Sequence, residues 1–176
     1  MSKRLPEHLD PWRFADLGEA FAGSVALQDL SRLRESLLDD QGRASFELEF
    51  YRDERRRACL KGRVEATLLL ECQRCLKAVL LKVSSDTAIA FVEGFDEAEQ
   101  LPEALDPWMV EDQRVSLQDL IEDELLLALP QVAMHPADEC TATDTGARAD
   151  TAIEAADEAE RENPFAILSG LKATKD

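Results

Sequence analysis

The sequence has little that would place the chain in a membrane or outside the cell. No apolar run reaches the ~18 residues that a membrane-spanning helix needs, and no apolar stretch of roughly 7–15 residues follows the basic N-terminus. We therefore expect a cytoplasmic protein with no membrane partner. Only four cysteines occur in 176 residues, and disulfide frameworks are typical of small secreted domains. The cysteines are expected to be reduced thiols or metal ligands.

Motifs for catalysis are also scarce. There is no glycine-rich phosphate loop and no GxSxG nucleophile elbow, and the only imidazole bases are His8 and His135. The carboxylates lie in scattered acidic runs, so no pair stands out for acid–base chemistry. The sequence therefore predicts that the protein is not an enzyme and has no small-molecule substrate.

The sequence does contain a series of short strand patterns. In ASFELEF, residues 44–50, Phe46, Leu48 and Phe50 alternate with polar residues, which is the period of a strand with one solvated face. Strand patterns also occur at residues 20–27, 64–72, 78–83 and 87–92. Because several of them follow one another without helices between them, the pattern predicts antiparallel hairpins and not a parallel βαβ sheet.

Two amphipathic helices complete the predicted fold. Leucines at helical spacing indicate the first helix near residues 28–39. The second helix, near residues 116–129, begins after Ser116 as N-cap and stops before Pro130. We expect a single α+β domain over residues 1–140, built on an antiparallel β-sheet that could curl toward a barrel.

The C-terminal part of the chain has a different composition. Residues 141–162 lose bulky apolar side chains and gain Asp, Glu, Ala and Thr, which predicts a disordered acidic linker. Beyond it, residues 163–173 are predicted to form a short docking helix, because three apolar residues are spaced along one face. These partner-docking residues are Phe165, Leu168 and Leu171. The tether would let this helix dock on its own domain or on a partner.

Charge is distributed unevenly along the chain. The formal net charge is −17, from 20 basic and 37 acidic residues, yet residues 52–82 hold nine basic and only four acidic side chains. Such a segment can contact RNA phosphates, or it can be a solvated face that discourages strand pairing at a sheet edge. The aromatic residues that would stack on bases are not interleaved with it. The candidate RNA-binding residues are Arg52, Arg55, Arg56, Arg57, Lys61, Arg63, Arg74 and Lys77.

The cysteines offer one candidate metal site. Cys72 and Cys75 fall on the predicted turn between two strands, and His135 and Cys140 are a second pair after the second helix. Together they would make a Cys3His zinc site, which is a common structural ligand set. The alternative is that they are inert thiols beside a surface histidine, with no cofactor. A thioredoxin-like redox couple is the least favoured interpretation, because it would need the Cys-x-x-Cys pair at a helix N-terminus and not in a hairpin.

Three longer segments resemble one bacterial family. They are LECQRCLKAV at 70–79, LPEALDPWMVEDQRVSLQDLIEDELLLALPQVAMHPADEC at 101–140, and ENPFAILSGLK at 162–172. Together they resemble the YceD family, the large ribosomal RNA subunit accumulation proteins. The resemblance implies a non-enzymatic cytoplasmic factor for ribosome biogenesis, needed for accumulation or processing of 23S ribosomal RNA. Many members carry a second cysteine cluster where this chain has only His135 and Cys140.

Two functions follow as hypotheses. In the first, the basic hairpin region contacts precursor ribosomal RNA of the large subunit, while the acidic segment or the C-terminal motif holds a ribosomal or assembly protein. In the second, the chain is an acidic adaptor that binds a basic partner protein away from the ribosome. Particles that contain ribosomal RNA would co-purify in the first case, and a protein without RNA in the second.

Overall fold

A computed structural model of the chain describes residues 8–110 and 114–140. A five-stranded sheet in the order β1-β2-β3-β4-β5 forms its centre. The strands are β1 (Ala20–Ala26), β2 (Arg43–Arg52), β3 (Ala58–Glu71), β4 (Ala78–Val92) and β5 (Asp106–Met109). The helices are α1 (Pro11–Leu17), α2 (Ser31–Arg34), α3 (Phe95–Ala98) and α4 (Leu117–Leu127). The predicted α+β class is confirmed.

One face of the sheet carries the hydrophobic core. Along β2 the side chains of Ala44, Phe46, Leu48 and Phe50 are buried and those between them face solvent more, as the alternating pattern predicts. Helix α1 packs on β2 and β3, and α4 packs on β3 and β4. One face of α4 is fully buried, and each leucine buried in this way contributes about 1.5–3 kcal/mol. The residues of this face are Leu117, Leu120, Ile121 and Leu125. These two helices therefore hold the sheet in place.

The sheet is mostly antiparallel, as expected, but it is open. The first four strands are antiparallel neighbours, and β5 pairs in parallel with β4. Within the described residues the order ends at β1 and β5, so the suggested curl does not close into a barrel. The segments predicted at 78–83 and 87–92 form one strand, because the backbone ladder continues through the polar residues between them.

The helix predicted near residues 28–39 is much shorter than expected. The chain forms a 3-10 turn at Leu27–Asp29 and the single helical turn of α2. Between them Leu30 leaves the helical region, with φ −97° and ψ 89°. Farther on, the N–H of Leu38 donates to the carbonyl of Leu69 on β3. The leucines that suggested a longer helix therefore belong to an irregular segment that runs to the edge of β3.

Helix α1 was not predicted, although its signals are present. Asp10 caps the first turn by accepting hydrogen bonds from the N–H groups of Trp12 and Arg13, Pro11 opens the helix, and Gly18 ends it with φ +63°. The predicted linker at 141–162 and docking helix at 163–173 lie outside the described residues. In the part of the chain that is described, no helix is both long and apolar enough to cross a bilayer.

A buried carboxylate joins α4 to α2. Glu122 is only 4 % exposed. Its Oε1 accepts hydrogen bonds from the backbone N–H groups of Arg32 (2.6 Å) and Leu33 (3.0 Å), and its Oε2 accepts one from Arg32 Nε (3.0 Å). The N–H groups of a first helical turn have no partner within the helix, so Glu122 satisfies two of them at once. The short helix α2 is thereby fixed to α4.

We expect Glu122→Ala to lower the free energy of unfolding by about 2–3 kcal/mol, because it leaves the buried N–H of Leu33 and the partly buried N–H of Arg32 unsatisfied. Asp123→Ala is the matched control. Asp123 also pairs with Arg32 but is more exposed, so its loss should cost about 0.5 kcal/mol. Urea unfolding of both variants measures the difference. Equal destabilisation would show that Glu122 acts only as a surface ion pair.

Candidate metal centre and basic surfaces

A tight turn between β3 and β4 presents the Cys-x-x-Cys pair. We call residues 72–77 the knuckle. Its ends are held because the Cys72 N–H donates to the carbonyl of Lys77 and the Leu76 N–H donates to that of Cys72. Leu76 takes the left-handed conformation, with φ +58°, where glycine is usual. The prediction that the cysteines lie on a hairpin turn is confirmed.

The segment after α4 brings the second pair of ligands to the knuckle. The N–H of Gln73 donates to the carbonyl of Ala133 (2.8 Å), which ties the two segments together. His135 Nδ1 then lies 3.4 Å from Cys75 Sγ. The ligand atoms of Cys72, Cys75, His135 and Cys140 all lie within 4.8 Å of one another. The sequence-predicted pairs therefore form a single cluster.

The surroundings of Cys72 favour its thiolate form. Burial alone would raise the pKa of this thiol, but hydrogen bonds from the backbone N–H groups of His135, Cys75 and Arg74 lower it to about 5. The hydrogen bond to Cys72 is also the main cause that raises the pKa of His135. A thiolate is the form that binds metal, so the cluster is prepared for a cation.

The donor set and its geometry fit zinc. Tetrahedral Zn²⁺ with Zn–S bonds of about 2.3 Å separates its sulfur ligands by about 3.8 Å, which the spacing of the cluster accommodates. The Nε2 atom of His135 lies 3.0 Å from the carbonyl oxygen of Ala78. A hydrogen bond from Nε2 to that oxygen fixes the ring and leaves Nδ1, on the side of the thiols, as the ligand atom. The described residues thus contain a Cys3His cluster compatible with zinc.

The fourth cysteine is not part of this cluster. Cys59 is fully buried in β3, and burial is the main cause that raises the pKa of its thiol. This agrees with the expectation that it is a small buried hydrophobic residue.

The eight candidate RNA-binding residues lie in three places and not in one patch. Because β3 has 14 residues, at 3.2–3.4 Å each, its two ends are about 40 Å apart along the strand. Arg52, Arg55, Arg56 and Arg57 lie at the β2–β3 turn, Lys61 and Arg63 on β3, and Arg74 and Lys77 in the knuckle. The sequence had suggested one basic region because all eight residues lie within residues 52–82.

The basic residues on the solvent face of β3 are largely neutralised. Lys61 pairs with Glu49 (3.1 Å), and Arg63 pairs with Glu65 (2.8 Å) and lies 3.7 Å from Asp86. In the knuckle, the guanidinium of Arg74 donates to the carbonyl of His135 (2.9 Å) and so supports the Cys3His cluster. The docking residues Phe165, Leu168 and Leu171 lie outside the described residues.

The β2–β3 turn borders a cavity of about 360 Å³. Its lining includes all four turn arginines together with Trp12 from α1 and Gln100 after α3. Trp12 is distant from the arginines in sequence, so it is not among the residues interleaved with them along the chain. The helix-start signal around Asp10 and Pro11 could have located Trp12 on a helix, but not its position against this turn.

We expect Leu76→Gly to raise the free energy of unfolding by about 1 kcal/mol, because glycine adopts positive φ without the clash that a Cβ atom brings. Leu76 is 69 % exposed, so its side chain contributes little packing. The control is Leu80→Gly: Leu80 is equally exposed, at 67 %, but lies in β4, where glycine should destabilise. Urea unfolding midpoints test this, and destabilisation by Leu76→Gly would contradict it.

Comparison with known proteins identifies the chain's relatives. The family model described as "Large ribosomal RNA subunit accumulation protein YceD" matches residues 60–172. The Large ribosomal RNA subunit accumulation protein YceD of Haemophilus influenzae is 33% identical over 171 residues, which cover 96% of this chain and 97% of that protein. No solved structure matches the chain. On both the family model and the full-length relative, the chain belongs to the YceD family of large ribosomal RNA subunit accumulation proteins.

Proposed function

We propose that this protein is a cytoplasmic ribosome-biogenesis factor, required for the accumulation or processing of 23S ribosomal RNA, that binds precursors of the large subunit. The observation that carries the proposal is the 33% identity to a large ribosomal RNA subunit accumulation protein, because it extends over 96% of the chain. Similarity over the whole length relates the entire protein, and not one shared motif, to that role.

The proposed mode of action is binding and not catalysis. The Cys3His cluster supplies four protein ligands, which is the pattern of a structural zinc site, whereas a catalytic zinc site keeps one position open for water or substrate. The cluster also lies between a hairpin turn and the segment after α4, where a metal would hold two parts of the fold together. Its location therefore supports a structural role.

Charge supports an oriented contact with RNA. With a formal net charge of −17, most of the protein repels a polyanion. The turn at the β2–β3 end carries four arginines, of which Arg52 and Arg57 pair with Asp16 and Asp53. Arg55 and Arg56 form no ion pair within the described residues, and Asp16, which attracts Arg56 at longer range, is already paired with Arg52. Both arginines can therefore contact phosphate. The acidic surface would then face away from the RNA, toward basic ribosomal or assembly proteins.

Zinc is the metal we propose for the cluster. When bound, it would supply four bonds that cross-link the knuckle to the segment around His135. The purified full-length protein should contain about one zinc per chain by elemental analysis, and a double variant with Cys72→Ser and Cys75→Ser should contain almost none. Cys59→Ser is the control and should keep its zinc, since Cys59 lies outside the cluster.

Removal of zinc should also lower the thermal midpoint of the wild-type protein, because metal binding to the folded state alone adds to its stability. The chelator-treated protein should regain its midpoint when zinc is added back. A wild-type protein that is purified under reducing conditions without chelator and neither contains nor takes up zinc would contradict the metal assignment.

Sucrose-gradient fractionation of cell extracts at low and high salt tests the function itself. We expect the protein to sediment with particles lighter than the mature large subunit at low salt and to be released at high salt, because phosphate contacts weaken as salt rises. If the protein stays at the top of the gradient at both salts while a basic protein without RNA co-purifies with it, the adaptor function replaces this proposal.

A further inference from the structure

We infer that the cavity at the β2–β3 turn binds one unpaired RNA nucleotide, with its base against Trp12 and its phosphate on Arg55 and Arg56. This inference rests on the proposed function and names the contact through which it would act. We call this cavity the turn pocket. It is lined by Trp12, the four turn arginines, Phe91, Glu97 and Gln100, among other residues.

The backbone of the turn is fixed before any ligand arrives. Asp53 Oδ1 accepts hydrogen bonds from the N–H groups of Arg55 (2.9 Å) and Arg57 (2.8 Å), and Oδ2 accepts one from the Arg57 guanidinium (2.6 Å). The N–H of Asp53 donates to the carbonyl of Arg57, which closes the turn. A rigid turn loses little conformational entropy on binding, so its arginines are prepared to contact a ligand.

One of the four arginines connects the turn to α1. The guanidinium of Arg52 donates to Asp16 (2.8 Å) and to the carbonyls of Trp12 (3.1 Å) and Arg56 (2.9 Å). This arginine therefore holds the helix that carries the tryptophan against the turn that carries the free arginines. The Arg52 side chain thus helps to bring the Trp12 ring and the guanidinium groups of the turn to the same pocket.

The charges in the pocket leave a place for one anion. The guanidinium groups of Arg52 and Arg57 are balanced by Asp16 and Asp53. Arg55 and Arg56 form no ion pair among the described residues. Glu97 also lines the pocket, but its Oε2 accepts a hydrogen bond from the N–H of Glu93. Asp16 also attracts Arg56, but its hydrogen-bonded partner is Arg52. The four turn arginines therefore exceed the carboxylates of Asp16, Asp53 and Glu97 by one charge, which suits a phosphodiester with its single negative charge.

The size and the aromatic content of the pocket favour a single nucleotide. A volume of about 360 Å³ lies at the low end for small-ligand sites and is far too small for a duplex. The ring of Phe91 is already stacked on Phe50 at 5.8 Å, so it forms the floor. Trp12 is partly buried and is the aromatic side chain that remains for a base to stack on. The Gln100 amide can then contact a base edge.

The test uses the full-length protein with single-stranded and double-stranded RNA. Fluorescence anisotropy would compare a labelled ten-nucleotide single strand with a duplex of the same length at fixed salt. We expect tighter binding of the single strand. A variant with Arg55→Gln and Arg56→Gln should bind it roughly tenfold more weakly. The control removes the same charge with Lys61→Gln and Arg63→Gln and should lose less than about twofold, because those residues are already paired.

A spectroscopic readout tests the stacking contact directly. In a Trp108→Phe background, Trp12 is the remaining tryptophan, and binding of the single strand should quench its emission. Absence of quenching, or equal losses in the two double variants, would overturn the inference. Adenosine monophosphate is the second probe: if it saturates the quenching at the same concentrations as the RNA, the pocket is a site for free nucleotides and the RNA assignment is wrong.

The outcome is separable from the proposed function. If the variant with Arg55→Gln and Arg56→Gln still sediments with large-subunit precursors as the wild type does, the turn pocket is not the RNA contact although the biogenesis role stands. If the wild-type protein binds single-stranded RNA through the pocket but does not sediment with particles, the role in assembly fails and the pocket remains.

Discussion

The antiparallel ladder between β3 and β4 is the constraint on which the rest of the structure depends. Thirteen residue pairs join these strands, but β2 covers β3 only as far as Glu65. Beyond that point the hairpin would be a two-stranded ribbon, which is marginal in water by itself. Three contacts support it instead: the segment that meets Leu69, the helix α4, and the residues around His135 that close over the knuckle. The Cys3His cluster lies where the hairpin has the fewest neighbouring strands, and a metal there would stabilise its weakest end.

Local patterns in the sequence were enough to predict most of the sheet and the four members of the Cys3His cluster. The alternation of Phe46, Leu48 and Phe50 with polar residues predicts a strand with one buried face, because successive side chains of a strand point to opposite faces. The capping by Ser116 and the stripe of α4 were equally clear. The spacing of leucines near residue 33 was ambiguous, because the same residues can fill a core from an irregular segment. Contacts with Glu122 and Leu69, which are distant in sequence, determine the conformation of this segment. The local sequence pattern contains no information on such contacts.

The positions of the basic residues in the fold could not be predicted from the sequence. Arg55 and Arg74 are close in the chain, but a continuous strand separates them, and so they lie at opposite ends of the hairpin. Trp12 is far from Arg55 in the chain, but the two line one cavity. Distances along an extended strand grow with every residue, whereas hydrogen bonds such as those of Arg52 join segments forty residues apart. The composition of a segment therefore predicts its charge but not the surface on which that charge is presented.

The length of β3 separates the two candidate sites of the protein. The arginines with an aromatic ring lie at one end and the compact Cys/His cluster at the other, about 40 Å apart along the strand. This distance is several times the Debye length of about 8 Å at physiological salt, so charge gained or lost at one site changes little of the electrostatic potential at the other. The two ends of the hairpin can therefore change independently in evolution, one under selection for stability and the other for the surface that it presents.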